Sequence, residues 1–318
     1  MATRDIAASG GAAGLTRRSL EAARPRYGEK LIKLLLFLCA ALSVAVTMAI
    51  VFSLLFGAID FFREVPVTDF LFGTDWSPSF AEPRFGVLPI VVGTLDIVFW
   101  SLLVAVPVGL ASSIYLSEYA PARVRRVLKP IIEILGGIPT VAIGLFALGF
   151  LRPLAETVFP FLDWRTPHAV GVAGVAVGLL IVPLVASVSD DAMRAVPRSL
   201  REGAHALGAG KLKVTLRVVV PAAISGIIAS VVLAVSRAVG ETMVVLLAAG
   251  ASPNLTAVPT ESVLTMTSFI GRQATGEIST GSIDYYTIFA VGALLFVMTL
   301  VMNLLAVRLV RRYREVYE

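Results

Sequence analysis

The sequence predicts an all-α, polytopic membrane protein with six transmembrane helices. Of its 318 residues, 57% are hydrophobic and only 15% are charged, whereas a soluble domain carries about 25% charged residues. The mean hydropathy is +0.86, and long uncharged runs alternate with short basic segments. A soluble fold could not cover so much apolar surface with so few polar residues, so lipid is the expected solvent.

The first span is predicted at residues 34–59, a run of 26 residues without a charge. At about 1.5 Å per residue this run exceeds the roughly 30 Å thickness of the hydrocarbon layer, and it is too long for the apolar region of a cleaved signal peptide. Residues 1–33 then form a flexible, basic cytoplasmic tail, and residues 60–86 form a polar loop outside the cytoplasm.

The other five spans form a core at residues 87–308. They are predicted within Val87–Leu116 and at about Ile134–Leu151, Ala169–Ser189, Pro221–Ala249 and Tyr285–Val307. The third contains Gly136, Gly137 and Pro139, and the fourth contains Gly171, Gly174 and Gly178, which would let a neighbouring helix approach closely. A cytoplasmic loop is expected at residues 190–220 and a cytoplasmic tail at residues 309–318.

The distribution of basic residues predicts the orientation. Of the 27 lysines and arginines, 21 fall in the N-terminal tail, the loops after spans two and four, and the C-terminal end. Short segments rich in these residues stay in the cytoplasm. A multi-pass inner-membrane protein with both termini in the cytoplasm is therefore predicted.

Several functions are disfavoured by composition. A single cysteine, Cys39, excludes a disulfide within the chain, and His168 and His205 are too few for the usual zinc ligands. The net charge of +5 comes without aromatic interleaving or a groove-reading motif, so no nucleic-acid partner is expected. The GxxxxGK[ST] phosphate-binding loop is missing from the sequence, so energy must come from another chain or an ion gradient.

Residues 196–221 predict a helix, a turn and a second helix at the membrane surface. Pro197 suits a first helical turn, Gly208 and Gly210 suit the break, and Pro221 would begin the next span. The apolar positions at helical spacing are Val196, Leu200, Ala204 and Leu207 in the first helix and Leu212, Leu216 and Val219 in the second. They could enter a groove on a partner or lie on lipid headgroups.

Two charges fall inside the fifth span. Arg237 and Glu241 are four residues apart, so they would share a face of one helix. Charges at membrane depth cost roughly 2.5–3.5 kcal/mol each, so the pair is either a structural ion pair or part of a substrate pathway that binds an anion. Asp96 is a weaker pathway candidate that water could satisfy near the outer end of its span. Thr140 could offer its hydroxyl to the pathway or to its own backbone.

The loop matches a known pattern. Its residues resemble the EAA loop of binding-protein-dependent ABC importer permeases, with Gly203 at the second motif position and valines for the usual Ile and Leu; the matching positions are Glu202, Gly203, Ala204, Gly208, Val218, Val220 and Pro221. Five further segments resemble the PstC-type permease of the phosphate-specific ABC importer: FLFGTDWSP (70–78), FGVLPIVVGTLDI (85–97), GLASSIYLSEYAP (109–121), LGGIPTVAIGLFAL (135–148) and SRAVGETM (236–243).

This resemblance implies a type I ABC importer permease (MetI-like) fold and import of phosphate. It implies a PstA-like sister permease, a PstB-like ATPase dimer that holds ATP and Mg, and a PstS-like phosphate-binding protein, so the chain would have no cofactor and would not itself be an enzyme. Arg237 and Glu241 would serve translocation. The ATPase contact would involve Arg201, Glu202, Gly203, Ala204, Leu207, Gly208, Leu212 and Pro221.

Other functions stay open at this point. Related permeases carry sulfate or molybdate, and six spans with such a loop suit those anions too. An ion-coupled secondary anion transporter commonly has inverted repeats, and we find none in the sequence. An intramembrane enzyme needs a nucleophile with a base, or a metal cluster, and neither histidine lies within a predicted span.

Overall fold

A long N-terminal helix, α1, spans Tyr27–Glu64 in the computed structural model, which describes residues 27–80, 82–276 and 278–312. It extends beyond the predicted span at both ends, so residues 27–33 of the predicted flexible tail are helical; residues 1–26 lie outside the described residues. Continuing the helix satisfies backbone groups that an irregular segment would leave unpaired in lipid. The chain divides into two units, residues 1–50 and 51–318, and every described side chain from Glu29 to Ile50 is exposed.

The segment after α1 is more ordered than the predicted loop. It contains helix α2 (Val67–Phe72) and a two-residue antiparallel pair, β1 (Trp76–Ser77) with β2 (Arg84–Phe85). Phe61 packs edge-on against Phe70 with ring centroids 5.4 Å apart, and Trp76 against Phe269 at 4.9 Å. Such edge-to-face pairs add to the burial energy of the rings. The short strand pair is an exception to the all-α prediction.

The second and third spans begin with α3 and α5. Helix α3 (Leu88–Ile114) continues through a π-helical turn (Tyr115–Tyr119), and α4 (Ala122–Leu135) follows without a buried residue. Helix α5 (Thr140–Phe146) runs through a second π-helical turn (Ala147–Leu151) into α6 (Arg152–Val158). The third span therefore starts at Thr140 and not at Ile134, because the chain is non-helical between Leu135 and Thr140, where Gly136, Gly137 and Pro139 lie.

Helix α7 (Val170–Ala195) is the most buried span and packs along α3. A Cβ atom added at Gly174 would lie 2.3 Å from Cβ of Trp100, and one at Gly178 would lie 2.7 Å from the carbonyl oxygen of Ser101. Both positions therefore admit only glycine without a shift of the neighbouring helix. The prediction that these glycines permit close helix packing is confirmed.

The loop after α7 forms a bent pair of helical arms. Helix α8 (Arg198–Ala206) is followed by α9 (Lys211–Val214), a third π-helical turn (Thr215–Val219) and α10 (Val220–Ala222). Helix α11 (Ile224–Gly240) then leaves at 70° to this second arm. The bend lies at Ala223, so Pro221 belongs to the arm and does not begin the span as predicted.

The fifth span is broken as well as bent. Helix α11 ends at Gly240, Glu241 has an extended backbone, and α12 (Met243–Ala248) resumes after it. Helices α13 (Met266–Thr275) and α14 (Ile283–Arg312) complete the described fold. Five described helices are long and apolar enough to cross a membrane, and there are up to six if the bent pair Lys211–Ala222 and Ile224–Gly240 counts as one span.

Candidate functional site

The turn of the basic hairpin (residues 196–221) is made by glycine. Gly208 has φ = +79°, and its N–H donates to the carbonyl oxygen of His205 at 2.9 Å. Glycine reaches this left-handed conformation without steric cost, which confirms the predicted break at Gly208. Gly210 has φ = −68° and precedes α9 with an ordinary extended backbone, so only Gly208 uses the left-handed conformation that was the reason for expecting a break at these glycines.

One face of the basic hairpin is buried against the membrane helices. Val196, Val214 and Val219 are at most 6% exposed, and Leu200 and Ala204 pack against them. Val219 was predicted on the same side as Leu212 and Leu216, but it points inward. The π-helical turn explains the difference, because its wider repeat inserts one residue and rotates the positions that follow.

The opposite face of the basic hairpin presents leucines to the surroundings. Leu207 is 90% exposed, Leu212 63% and Leu216 51%. Glu202 and Gly203 are exposed as well, and a Cβ atom at Gly203 would meet nothing within 4 Å. A cluster of exposed leucines is typical of a surface that a partner covers.

Arg201 is turned into the chain and away from this exposed face. Its guanidinium donates to the carbonyl oxygens of Val196 at 2.7 Å and Met193 at 2.8 Å. It also lies 3.1 Å from the carboxylate of Glu118 in the π-helical turn after α3, where both side chains are largely buried. In the second arm, the Lys211 ammonium lies 4.8 Å from the centre of the Tyr119 ring, a cation–π contact.

A buried ion-pair network beside the basic hairpin was not predicted. Asp190 in α7 has a fully buried side chain and accepts both terminal nitrogens of Arg125 from α4. Lys129, one helical turn further, contacts Asp190 and Asp191. Burial lowers the pKa of Lys129, but its hydrogen bonds to these aspartates and their charges raise it by more, so the pKa lies above its usual value.

Two sequence features could have indicated this network. Basic residues four apart in a helix, as at Arg125 and Lys129, share one face. The adjacent acidic residues Asp190 and Asp191 lie at the end of an apolar run, where a charge needs a partner.

The expected Arg237–Glu241 ion pair is wrong. Because α11 ends at Gly240, Glu241 leaves the helix and does not share a face with Arg237. Glu241 is 7% exposed; its carboxylate accepts the N–H of Val244 at 3.3 Å, and its carbonyl accepts the Thr267 hydroxyl at 2.8 Å. Arg237 is exposed, and no carboxylate of the described residues lies within 4.0 Å of it.

The weaker pathway candidates lie apart from each other in the chain. Asp96 in α3 is half-buried, and one of its carboxylate oxygens is buried with no hydrogen-bond partner among the described residues. Thr140 is the half-buried first residue of α5. In the described part of the chain, no hydrogen bond joins these two residues to each other, to Arg237 or to Glu241.

Two polar contacts that sequence reasoning missed tie α11 to its neighbours. The hydroxyls of Ser189 in α7 and Ser230 in α11 are 2.8 Å apart in a fully buried position. Ser236 donates to the side-chain oxygen of Asn303 in α14 at 2.7 Å. Hydrogen bonds of this kind hold membrane helices together where water is absent.

Comparisons with known proteins agree with this architecture. Residues 105–315 match the model of the family described as binding-protein-dependent transport system inner membrane component. The chain is 34% identical to the probable ABC transporter permease protein YqgH of Bacillus subtilis (strain 168), over 84% of this chain and 86% of that protein.

Two further relatives are phosphate transport system permease proteins. The chain is 29% identical to PstC of Pasteurella multocida (strain Pm70), over 95% of this chain and 98% of that protein. It is 32% identical to PstC 1 of Mycobacterium tuberculosis (strain ATCC 25618 / H37Rv), over 76% of this chain and 81% of that protein.

Solved structures show the same fold at low sequence identity. A chain of a bacterial ABC transporter involved in the import of alginate aligns with a TM-score of 0.62 and 15% identity, over 91% of this chain and 99% of that one. A chain of the MetNI methionine ABC transporter aligns with a TM-score of 0.51 and 20% identity, over 72% and 95%. The chain belongs to the family of binding-protein-dependent transport system inner membrane components.

Proposed function

We propose that this chain is the membrane-channel subunit of an ABC importer that moves inorganic phosphate into the cytoplasm. The observation that carries the proposal is the basic hairpin, whose exposed face presents Leu207, Leu212 and Leu216 at the position of the family's EAA loop. Its inward face is fixed to the membrane helices by a buried core and by Arg201. A fixed protrusion with apolar side chains suits a groove on a partner protein.

The assembled importer would contain three further kinds of chain. A PstA-like sister permease would complete the channel, and a PstB-like ATPase dimer with ATP and Mg would bind the exposed hairpin leucines on the cytoplasmic side. A PstS-like protein would deliver phosphate on the opposite side. Both termini would then be cytoplasmic, in agreement with the concentration of lysine and arginine on that side.

Arg237 supports an anionic substrate. It lies near the end of a membrane-spanning helix, is exposed, and has no carboxylate neighbour within the described residues. A guanidinium can bind two oxygens of a phosphate at once. Glu241 would stabilise the start of α12 through the Val244 N–H and leave Arg237 free for the substrate.

The test combines purification with transport. A tagged chain purified from its native membrane should bring an ATPase, a second permease and a phosphate-binding protein, whereas recovery as a lone homodimer would contradict the importer function. Uptake of radiolabelled phosphate, with sulfate and molybdate as competitors, then identifies the anion. If unlabelled phosphate fails to reduce the uptake of the label while sulfate reduces it, phosphate is not the substrate.

Arg237→Gln isolates the role of the arginine. In a variant that assembles normally, we expect phosphate uptake to fall by about tenfold or more, because one charge-assisted contact is worth about 1.5–3 kcal/mol. Arg126→Gln is the control, since Arg126 is an exposed arginine of α4 outside the membrane-spanning helices. Normal uptake by Arg237→Gln would remove this residue from the pathway.

A further inference from the structure

The π-helical turn that follows α3 (Tyr115–Tyr119) holds both arms of the basic hairpin through two adjacent residues. Glu118 contacts Arg201 of the first arm at 3.1 Å, and the Ser117 hydroxyl donates to the same carboxylate oxygen at 2.8 Å. Tyr119 contacts Lys211 of the second arm. These two residues belong to the segment GLASSIYLSEYAP, for which no role has been assigned above.

Apolar contacts reinforce this attachment. Leu110 and Ile114, on the last turns of α3, pack against the buried cluster that contains Val196, Val214 and Val219 of the basic hairpin. The hairpin therefore cannot shift relative to the end of α3 without breaking both polar and apolar contacts. Packed interiors of this kind move as units, since they deform little.

The other end of α3 is attached to the segment 264–268 just as closely. The Thr94 hydroxyl accepts the backbone N–H of Met266 at 3.0 Å and donates to the carbonyl oxygen of Ile90 at 2.7 Å. A Cβ atom at Gly93 would lie 2.6 Å from the carbonyl oxygen of Leu264. From Thr94 to Glu118, a helix of this length spans about 36 Å, at about 1.5 Å per residue.

Helix α3 is supported along its length by α7. It contains Pro107, which removes one backbone hydrogen bond. Two residues later, a Cβ atom at Gly109 would lie 2.7 Å from Cβ of Val185 in α7. The close contact beside the proline keeps the two helices together where α3 alone would bend most easily.

We propose that α3 transmits movement of the basic hairpin to the segment 264–268, with Glu118 and Tyr119 holding the hairpin and Thr94 holding the far segment. This rests on the proposed function, in which the hairpin meets the ATPase and segment 264–268 lies toward the binding protein. Arg201 then acts as a positioning residue inside the chain and not as an ATPase contact. Coupling between two sites is reciprocal, so the binding protein would influence ATP hydrolysis through the same helix.

The experiment uses the complete complex reconstituted in proteoliposomes. It measures the factor by which phosphate-loaded binding protein stimulates ATP hydrolysis, and phosphate uptake in the same vesicles. We expect Glu118→Gln and Thr94→Val each to reduce the stimulation factor by about fivefold or more. The double variant should fall no further than the single ones, because both changes interrupt one path.

Matched controls separate this path from general damage. Glu133→Gln removes an exposed carboxylate of α4, and Thr157→Val removes an exposed hydroxyl that bonds its own helix; both should leave the stimulation factor unchanged. Tyr119→Phe keeps the ring beside Lys211 and should retain coupling, whereas Tyr119→Leu should lose it. If Glu118→Gln does not assemble, Thr94→Val tests the role of α3 by itself, because Thr94 does not contact the basic hairpin.

Two outcomes are distinguishable. The role of α3 would be overturned if a Thr94→Val variant assembles and its stimulation factor stays within about twofold of that of the unmodified complex. An unmodified complex that is stimulated by its binding protein but imports no phosphate would overturn the proposed substrate, while the stimulation factors would still test α3.

Discussion

At the scale of single residues, the best-defined polar contact is Asp190 with Arg125. The aspartate side chain is fully buried and the arginine side chain is 15% exposed. Removing one member of a buried pair leaves the other charge without a partner, which costs roughly 3–5 kcal/mol. The neighbouring Asp191 binds the same Lys129 but has a 64% exposed side chain, so the two aspartates form a natural comparison.

Asp190→Asn should therefore destabilise the protein much more than Asp191→Asn. We expect a loss of roughly 3 kcal/mol or more for the buried residue and at most about 1 kcal/mol for the exposed one. The temperature at which the detergent-solubilised protein loses its monodisperse peak in size-exclusion chromatography measures both. Equal midpoints for the two variants would show that burial of the pair is unimportant.

Sequence alone located some of these residues and not others. Gly208 was predictable, because a glycine between two amphipathic segments has few other reasons to be there. The sequence could have indicated that Asp190 and Arg125 each need a partner, but not that they pair with each other, since 65 residues separate them and neither spacing nor composition determines which helices meet. The error at Arg237 and Glu241 has a local cause, namely a helix end that the continuous apolar run did not reveal.

At the scale of elements, the close packing of α3 on α7 depends on glycines in α7, which have no side chain. Gly174→Ala and Gly178→Ala would place a methyl group within 3 Å of α3, and overpacking of this kind costs about 1–3 kcal/mol. Gly149→Ala is the control, because a Cβ atom there would meet nothing within 4 Å. We expect lower membrane levels and lower thermal stability for the first two variants only, and a stable Gly174→Ala protein would contradict the observed helix separation.

The two hairpin glycines should respond in opposite directions to the same substitution. Gly208→Ala places alanine at φ = +79°, which costs about 1–2 kcal/mol. Gly203→Ala adds a methyl group to an exposed position of α8, where alanine is favoured over glycine by about 0.5–1 kcal/mol. Protease cleavage within the hairpin should become faster in the first variant and slower in the second; the reverse order would contradict the turn geometry.

The sequence predicted where the helices lie better than how they end. Long apolar runs with few charges identified the membrane-spanning helices, because lipid imposes a strong compositional constraint. The π-helical turns left no such signal, and one of them rotates Val219 into the core. The fifth span was predicted to begin at Pro221, but the chain bends at Ala223, since a proline marks where a helix can start and not where tertiary contacts turn it.

At the scale of the whole molecule, the distribution of charge predicts an orientation that can be tested. In a Cys39→Ser background, a cysteine introduced at Arg123 of α4 should react with membrane-impermeant maleimide only after the cells are opened. One introduced at Ser79, between β1 and β2, should react in intact cells; both positions are exposed. Reaction of both in intact cells would contradict the orientation predicted from the basic loops.

The exposed leucines of the hairpin also matter before assembly. If the proposed ATPase covers this face, a copy made without that partner would keep Leu207, Leu212 and Leu216 exposed, and cells remove incompletely buried chains through chaperones and proteases. Surplus copies would be degraded, so the scarcest subunit would set how many transporters the cell keeps. The surface that we propose to bind the ATPase would thus also regulate the abundance of the chain.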